Sequence, residues 1–369
     1  MQSAVFPSMR AYALGIALSL PAASAHAQSS VTLYGELDAG VAYVNNVSGH
    51  SQYLLTSGLI DGSYWGIKGS EDLGGGFAAL FRLERGYSVA TGEDLNDHPF
   101  YVGLDGESLG TVTFGHQYDM VYDYFAPFTL TGGNGGTAFA HPFDNDNANN
   151  SYLASNSVKY TSANLGGFSF GAMYAFSNRA GAFAENRAYG LGANYAAGPF
   201  KVGAAWMHVN GRGEGGTGAY DTAALPGTGG TPLNAAVGRQ DTFAAGASYS
   251  VGDVTVAGAW SRVVNTGVID ADSGAAMRSS SLSNYEVNAT WQLTETIALA
   301  GMYTYTAAAG PHWHTGALQC DYTLSKRTDL YIESVYLRGS SGSTVAINGI
   351  DPSSGRNQLL VATGIRHKF

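Results

Sequence analysis

From Val31 to Phe369 the sequence alternates with period two in stretches of about ten residues, and few folds can satisfy such a pattern over so long a span. An extended strand sends successive side chains to opposite faces, so each stretch divides into two sets. Phe168, Phe170, Ala172, Tyr174 and Phe176 oppose Ser169, Gly171, Met173, Ala175 and Ser177. Phe200, Val202, Ala204 and Trp206 oppose Lys201, Gly203 and Ala205, and Tyr285, Val287, Ala289, Trp291 and Leu293 oppose Glu286, Asn288, Thr290 and Gln292. The second set is small or polar and lacks the bulk that fills the inner faces of a β-sandwich. The pattern predicts a sheet closed around water, with its apolar set turned to hydrocarbon.

Composition agrees. Charged residues make up 12% of the chain, against about 25% in soluble proteins. No apolar run after residue 27 reaches the roughly 18 residues that a membrane helix needs. Arg10, the apolar run Ala11 to Leu20, Pro21 and Ala25-His26-Ala27 read as a secretory signal peptide over residues 1–27, leaving 28–369 as the barrel domain. Loss of that segment removes Arg10 and no acid, so the formal charge moves from −10 to −11, which argues against a nucleic-acid partner. Cys320 is the single cysteine, so neither a disulfide nor a thiolate metal set is available, and no cofactor is implied.

Connections fall into two classes. Short turns are expected at 73–76, 105–109, 164–167, 197–199, 252–253, 294–296 and 325–327. Longer polar loops are expected at about 45–61, 88–97, 117–150, 178–185, 210–240, 266–281 and 339–355. Tight turns at one end and long loops at the other describe an outer-membrane barrel. The count is about sixteen antiparallel strands of 9 to 11 residues, with Val31 to Val44 pairing with Arg356 to Phe369 so that no edge is left in lipid. Aromatics near strand ends, among them Tyr43, Trp65, Phe77, Tyr101, Phe168 and Phe200, read as interfacial girdles.

These residues resemble the general trimeric porins of the Gram-negative outer membrane, in the β-proteobacterial branch. The resemblance rests on Ser30-Val31-Thr32-Leu33-Tyr34-Gly35, on the hairpin Gly66 to Gly76, on Gly316-Ala317-Leu318, on Asp321 to Tyr331, and on the ending Gly364-Ile365-Arg366-His367-Lys368-Phe369. It implies an outer-membrane homotrimer of all-β, sixteen-stranded transmembrane barrels, set among outer-membrane lipid and lipopolysaccharide. Ions and small hydrophilic solutes would diffuse passively through each water-filled pore. It further implies Phe369 as the signal to the barrel assembly machinery, loop 88–97 as the contact to a neighbouring subunit, and segment 117–150 as a third loop folded inward.

The resemblance also implies a constriction where wall arginines face loop carboxylates. This chain departs from it, with Tyr64, His98, His116 and Leu153 where arginine is usual. The remaining wall bases are expected to be Lys68 and Arg82, on the face that carries Tyr64 and Glu84. Asp144 and Asp146 are expected opposite them, with Tyr118 and Asp119 at the loop's root. Fewer fixed cations predict a weakly selective or cation-leaning pore, with His98 and His116 restoring positive charge in acid. His312-Trp313-His314 supplies two imidazoles without a third ligand, a weak metal site. No Gly-x-Ser-x-Gly elbow is expected and no histidine sits in a catalytic constellation, which sets aside a barrel hydrolase and leaves no enzyme expected. A solute-selective channel with the same barrel, and a soluble lectin or adhesin using Trp206, Trp260 or Trp313, stay open as alternatives.

Overall fold

The computed structural model describes residues 30–95, 98–133, 135–151, 153–210, 219, 235–270 and 273–369. The expected signal peptide and most of the expected 210–240 loop lie outside these residues. The strands are β1 (Ser30–Val47), β2 (His50–Ser57 continued by Tyr64–Gly74), β3 (Phe77–Tyr87), β4 (Phe100–Gly106), β5 (Gly110–Gln117), β6 (Ala154–Thr161), β7 (Phe168–Ala175) and β8 (Arg187–Ala197). They continue as β9 (Phe200–Asn210), β10 (Arg239–Val251), β11 (Val254–Thr266), β12 (Ser280–Gln292), β13 (Ile297–Ala308), β14 (His312–Ser325), β15 (Thr328–Gly339) and β16 (Asn357–Lys368). With the interrupted β2 taken once, the ring among the described residues has sixteen strands, each antiparallel to the next in sequence, besides the two-residue strands Asp94–Leu95, Ala235–Ala236 and Ile269–Asp270 in the loops. The ring closes where β1 meets β16, from Glu36 opposite Lys368 to Val44 opposite Leu360. Gly35 and Phe369 exchange backbone hydrogen bonds of 3.2 and 3.0 Å, which carries closure to the last residue.

Adjacent residues show the two faces of the pleat. Leu318 is 69% exposed while the next residue, Gln319, is 4% exposed. The apolar face therefore looks outward, and the small and polar set is enclosed. No helix among the described residues is long and apolar enough to cross a membrane, and the crossing is made by strands.

Two expected connections differ. The loop placed at 45–61 is instead a tight hairpin at Ser48-Gly49, both at positive φ, followed by the strand His50–Ser57. The irregular stretch is 58–63, inside β2. Ala309-Gly310-Pro311, between β13 and β14, is a short turn at the end where long loops were expected. At the other end, Gly198 and Gly252 open two-residue turns at φ of +57° and +56°, where a Cβ would be strained.

Gly167-Phe168-Ser169-Phe170-Gly171 has the Gly-x-Ser-x-Gly spacing but runs into β7 as extended chain. Ser169 Oγ donates to Asn194 Oδ1, so the spacing builds no elbow. His312 and His314 lie on the outward face of β14 beside Tyr303 and Tyr305, and His314 Nδ1 is 2.6 Å from the Tyr303 hydroxyl.

A charge placed at an outward site in mid-strand must displace lipid. We expect Leu318→Arg to lower unfolding free energy by about 2–4 kcal/mol, measured by urea titration in phospholipid vesicles.

Candidate functional site: the waist of the barrel

Residues 118–153 leave β5 and return to β6, and their contacts lie on the enclosed face of distant strands. The Asp119 carboxylate caps helix α1 (Met120–Tyr124) by accepting from Tyr122 N at 2.9 Å and takes a second bond from Asn147 Nδ2 at 3.1 Å. Helix α1 and Phe128 then pack on β7 to β10, where the wall carries glycine. A Cβ at Gly192 would meet the Tyr124 ring at 2.3 Å, and one at Gly246 would meet Phe128 Cβ at 2.4 Å. Gly171 and Gly203 are similarly covered by Tyr124 and Phe128. Part of the small-residue face expected to meet water is thus a fitted seat for two aromatic rings.

The far end of the segment docks through a buried ionic cluster. His141 Nδ1 is 2.7 Å from Asp146 Oδ2, and its Nε2 is 3.0 Å from Glu286 Oε2 on β12. The other Glu286 oxygen accepts from Leu130 N at 2.7 Å and from Asn288 Nδ2 at 2.6 Å. Asp146 also accepts from Ser261 Oγ and from Asn284 Nδ2. Asp144 accepts from Asn149 N, Ser151 N and Ser151 Oγ at 2.9, 3.1 and 2.7 Å. The structure therefore corrects the expected placement of Asp144 and Asp146. Both are buried and brace the segment from within instead of facing Lys68 and Arg82 across water.

The side nearest β2 provides a third attachment. Thr137 N donates to Leu59 O at 2.9 Å and Thr137 Oγ1 to Gly58 O at 3.0 Å, while Asn348 Nδ2 donates to Thr137 O at 3.1 Å. Gly136 is required here, since a Cβ would lie 1.5 Å from Leu59 O.

Open space remains beside the segment. A cavity of about 580 Å³ is lined by Asp61, His98, Tyr118, Tyr122, Arg366 and Lys368, among others. A second, of about 930 Å³, opens toward the short turns past Asn164, Gly167, Gly252 and Asp253. Among the expected wall residues, Arg82 binds Glu84 Oε1 at 2.7–2.8 Å and lies 5.9 Å from the Tyr118 ring centre. Glu84 also accepts from the Tyr34 hydroxyl. Lys68 is exposed, its Nζ 4.6 Å from the Tyr34 ring centre. The Tyr64 and His98 ring centres lie 4.6 Å apart with the rings tilted by 33°, and His116 Nδ1 is 2.9 Å from Ser155 Oγ. Leu153 is buried. Trp206 and Trp260 point outward, while Trp313 is buried with Nε1 donating to Thr344 O, so none of the three fronts the passage.

Arg366 and Lys368 were not among the expected bases, although alternation already placed them with Gly364 opposite Thr363 and Ile365. Glu286 and Ser261 were likewise unassigned. Only the path of the segment across the barrel shows that they hold it.

Burial alone would lower the His141 pKa, but Asp146 and Glu286 on either side raise it to about 10. Asp146 also suffers burial, yet the His141 charge and its hydrogen bonds hold it below the ordinary value. Asp144 is pushed up to about 6 by burial and by the Asp146 charge, and Asp119 to about 6 mainly by burial. A released histidine titrates near 6.5, so His141 supports docking fully below that pH and loses this support as pH rises through about 10. Asp144 and Asp119 act in the same direction between about 6 and 3.8, while Asp146 supports docking above its ordinary range and loses that support in stronger acid. We expect current noise from segment motion to grow between pH 7 and pH 10. His141→Ala, which strands two buried carboxylates, should cost about 3–5 kcal/mol of docking and admit chymotrypsin at Phe139 or Phe143 with the barrel intact.

Comparison with known proteins follows the same lines. The Gram-negative porin family matches residues 12–342. An outer membrane porin protein 32 of Delftia acidovorans is 30% identical over 96% of this chain and 99% of its own length. An outer membrane porin protein of Bordetella pertussis is 33% identical over 51% of this chain, which spans only about half of that relative, 56%. Among solved structures, an anion-selective porin from Comamonas acidovorans superposes with a TM-score of 0.75 at 26% identity, covering 93% of this chain and all of that one. Salmonella typhi OmpF shares the fold, with a TM-score of 0.61 at 17% identity over 92% of this chain and 97% of its own. The closed sixteen-strand ring, the residues matched and the full-length Delftia alignment lead to one assignment: the chain belongs to the Gram-negative porin family of the outer membrane.

Proposed function

We propose that this porin passes ions and small hydrophilic solutes by passive diffusion through a waist whose fixed charges are largely paired, so that it discriminates weakly and leans toward cations near neutral pH. The observation that carries this reading is the pairing of most of the enclosed bases; among the described residues Lys68 and Lys201 on the same face have no carboxylate within ion-pair distance. Arg82 is held by Glu84, Lys159 by Asp123 at 2.7 Å, and Arg366 by Asp329 at 3.2 Å and Glu36 at 3.6 Å. Low-dielectric walls focus the field of whatever charge is left, and a paired base leaves little. The anion selectivity of the Comamonas porin is not carried over, because Tyr64, His98, His116 and Leu153 stand where the family resemblance led us to expect arginine.

The same reading includes a homotrimer in lipid and lipopolysaccharide. Supporting it, the outward faces of β1, β2, β15 and β16 form an apolar hollow lined by Val41, Tyr43, Tyr53, Leu55, Ile332 and Val361, suited to another subunit. The V. cholerae outer membrane protein OmpT, which shares the fold at 16% identity with a TM-score of 0.65, was solved in a trimer form. Phe369, packed over Gly35 on the lipid side at the end of β16, suits recognition by the assembly machinery.

In planar bilayers under a potassium chloride gradient we expect a cation permeability ratio of roughly one to a few at pH 7.5. A strongly anion-selective reversal potential there would refute the charge reading. Closures in groups of three, and an SDS-resistant species that heating dissociates, are expected for the trimer.

A further inference from the structure

We infer that the interruption of β2 is a second constriction element, and that Asp61 at its tip is the specificity-determining charge of the passage, drawing in cations. This rests on the reading of the enclosed space as a conducting pore. In the β1–β2 register Ser57 pairs with Ala39 and Tyr64 with Glu36, so residues 58–63 stand opposite only Leu37 and Asp38. Four extra residues must leave the plane of the sheet.

They leave it inward. Asp38, on the enclosed face of β1, accepts from Ile60 N at 2.8 Å and from Asp61 N at 3.2 Å, and Ser63 Oγ donates to Asp38 O at 3.1 Å. Tyr331 Oη donates to the other Asp38 oxygen at 2.7 Å, which fixes this buried carboxylate between two strands. Leu59 and Ile60 are buried, and Leu59 O takes the bond from Thr137 described above. The excursion is thus clamped by Asp38 below and by the inward segment above. Asp61 is what it leaves exposed, on the wall of the 580 Å³ cavity with Arg366, Lys368 and His98.

Charge balance around that cavity makes Asp61 the surplus group. Arg366 and Lys368 are already engaged, Arg366 by Asp329 and Glu36, and Lys368 by Glu36 at 3.5 Å. Among the described residues no base lies within 4 Å of the Asp61 carboxylate. Two bases therefore meet three carboxylates, and the one not in direct contact with a base is the one facing water. A permeating cation finds an attractive site there at a narrow point, where fields are focused.

The test uses the purified full-length porin in planar bilayers. For Asp61→Asn we expect the cation-to-anion permeability ratio to fall roughly twofold or more, with conductance steps still of porin type. A companion variant, Asp61→Cys in a Cys320→Ser background, removes the lipid-facing thiol and leaves one at the excursion. A sulfonate-bearing methanethiosulfonate should then raise cation preference, and a trimethylammonium-bearing one should lower it, in the same folded protein. A merely structural Asp61 would respond to both reagents alike. Unchanged selectivity in Asp61→Asn, or shifts of the same sign with both reagents, overturns the inference while leaving the pore reading intact. A wild-type protein that does not conduct overturns both.

Discussion

Hydrocarbon offers a peptide group no hydrogen-bond partner, and the rest of this molecule follows from that fact. Each strand must be paired on both sides, so the sheet has to meet itself, and β1 meets β16 from Glu36 to Val44 with the terminal Phe369 joined to Gly35. Once the ring is closed, alternation dictates which side chains meet lipid and which are enclosed. Functional chemistry is therefore confined to one residue in two along each strand and to whatever chain the loops send inside.

The long segment 118–153 uses that freedom, joined by residues 340–356 through Ile347 and Asn348, and it is held at three places by different physics. Tyr124 and Phe128 fill the glycine seat by shape, His141 ties Asp146 to Glu286 by charge, and Thr137 joins the excursion of β2 through backbone hydrogen bonds. Such varied attachments do not weaken together under one change of condition. Near neutral pH a waist held in this way keeps its width and charge even when one attachment is lost, because the other two remain.

Much of the barrel could be read from residues alone because the lipid face repeats. Phe168 to Ser177 and Tyr285 to Leu293 alternate as expected, and the pairing of the first strand with the last was visible in the count. Loop geometry was harder. A polar run such as 45–61 looks the same whether it forms a surface loop or a Ser48-Gly49 hairpin followed by an inward excursion, because the difference rests on Asp38 and Thr137, partners distant in sequence. Asp144 and Asp146 are legible as carboxylates of the inward segment, yet the docking that buries Asp146 depends on Ser261 and Asn284 and, through His141, on Glu286, all more than a hundred residues away. Arg366 and Lys368 could have been found, since their parity in β16 places them on the enclosed face. They passed as part of a C-terminal signature.

The glycine seat also bears on how the protein is assembled. Glycine in a strand costs roughly 0.5–1 kcal/mol relative to alanine, and Gly171, Gly192, Gly203 and Gly246 lie together on one stretch of wall. Without Tyr124 and Phe128 over them these four glycines leave backbone uncovered, and the wall there is weakened by a few times about 0.5–1 kcal/mol. The inward segment therefore supports β7 to β10 as much as they hold it, and a barrel made without it would lose that support where the four glycines sit.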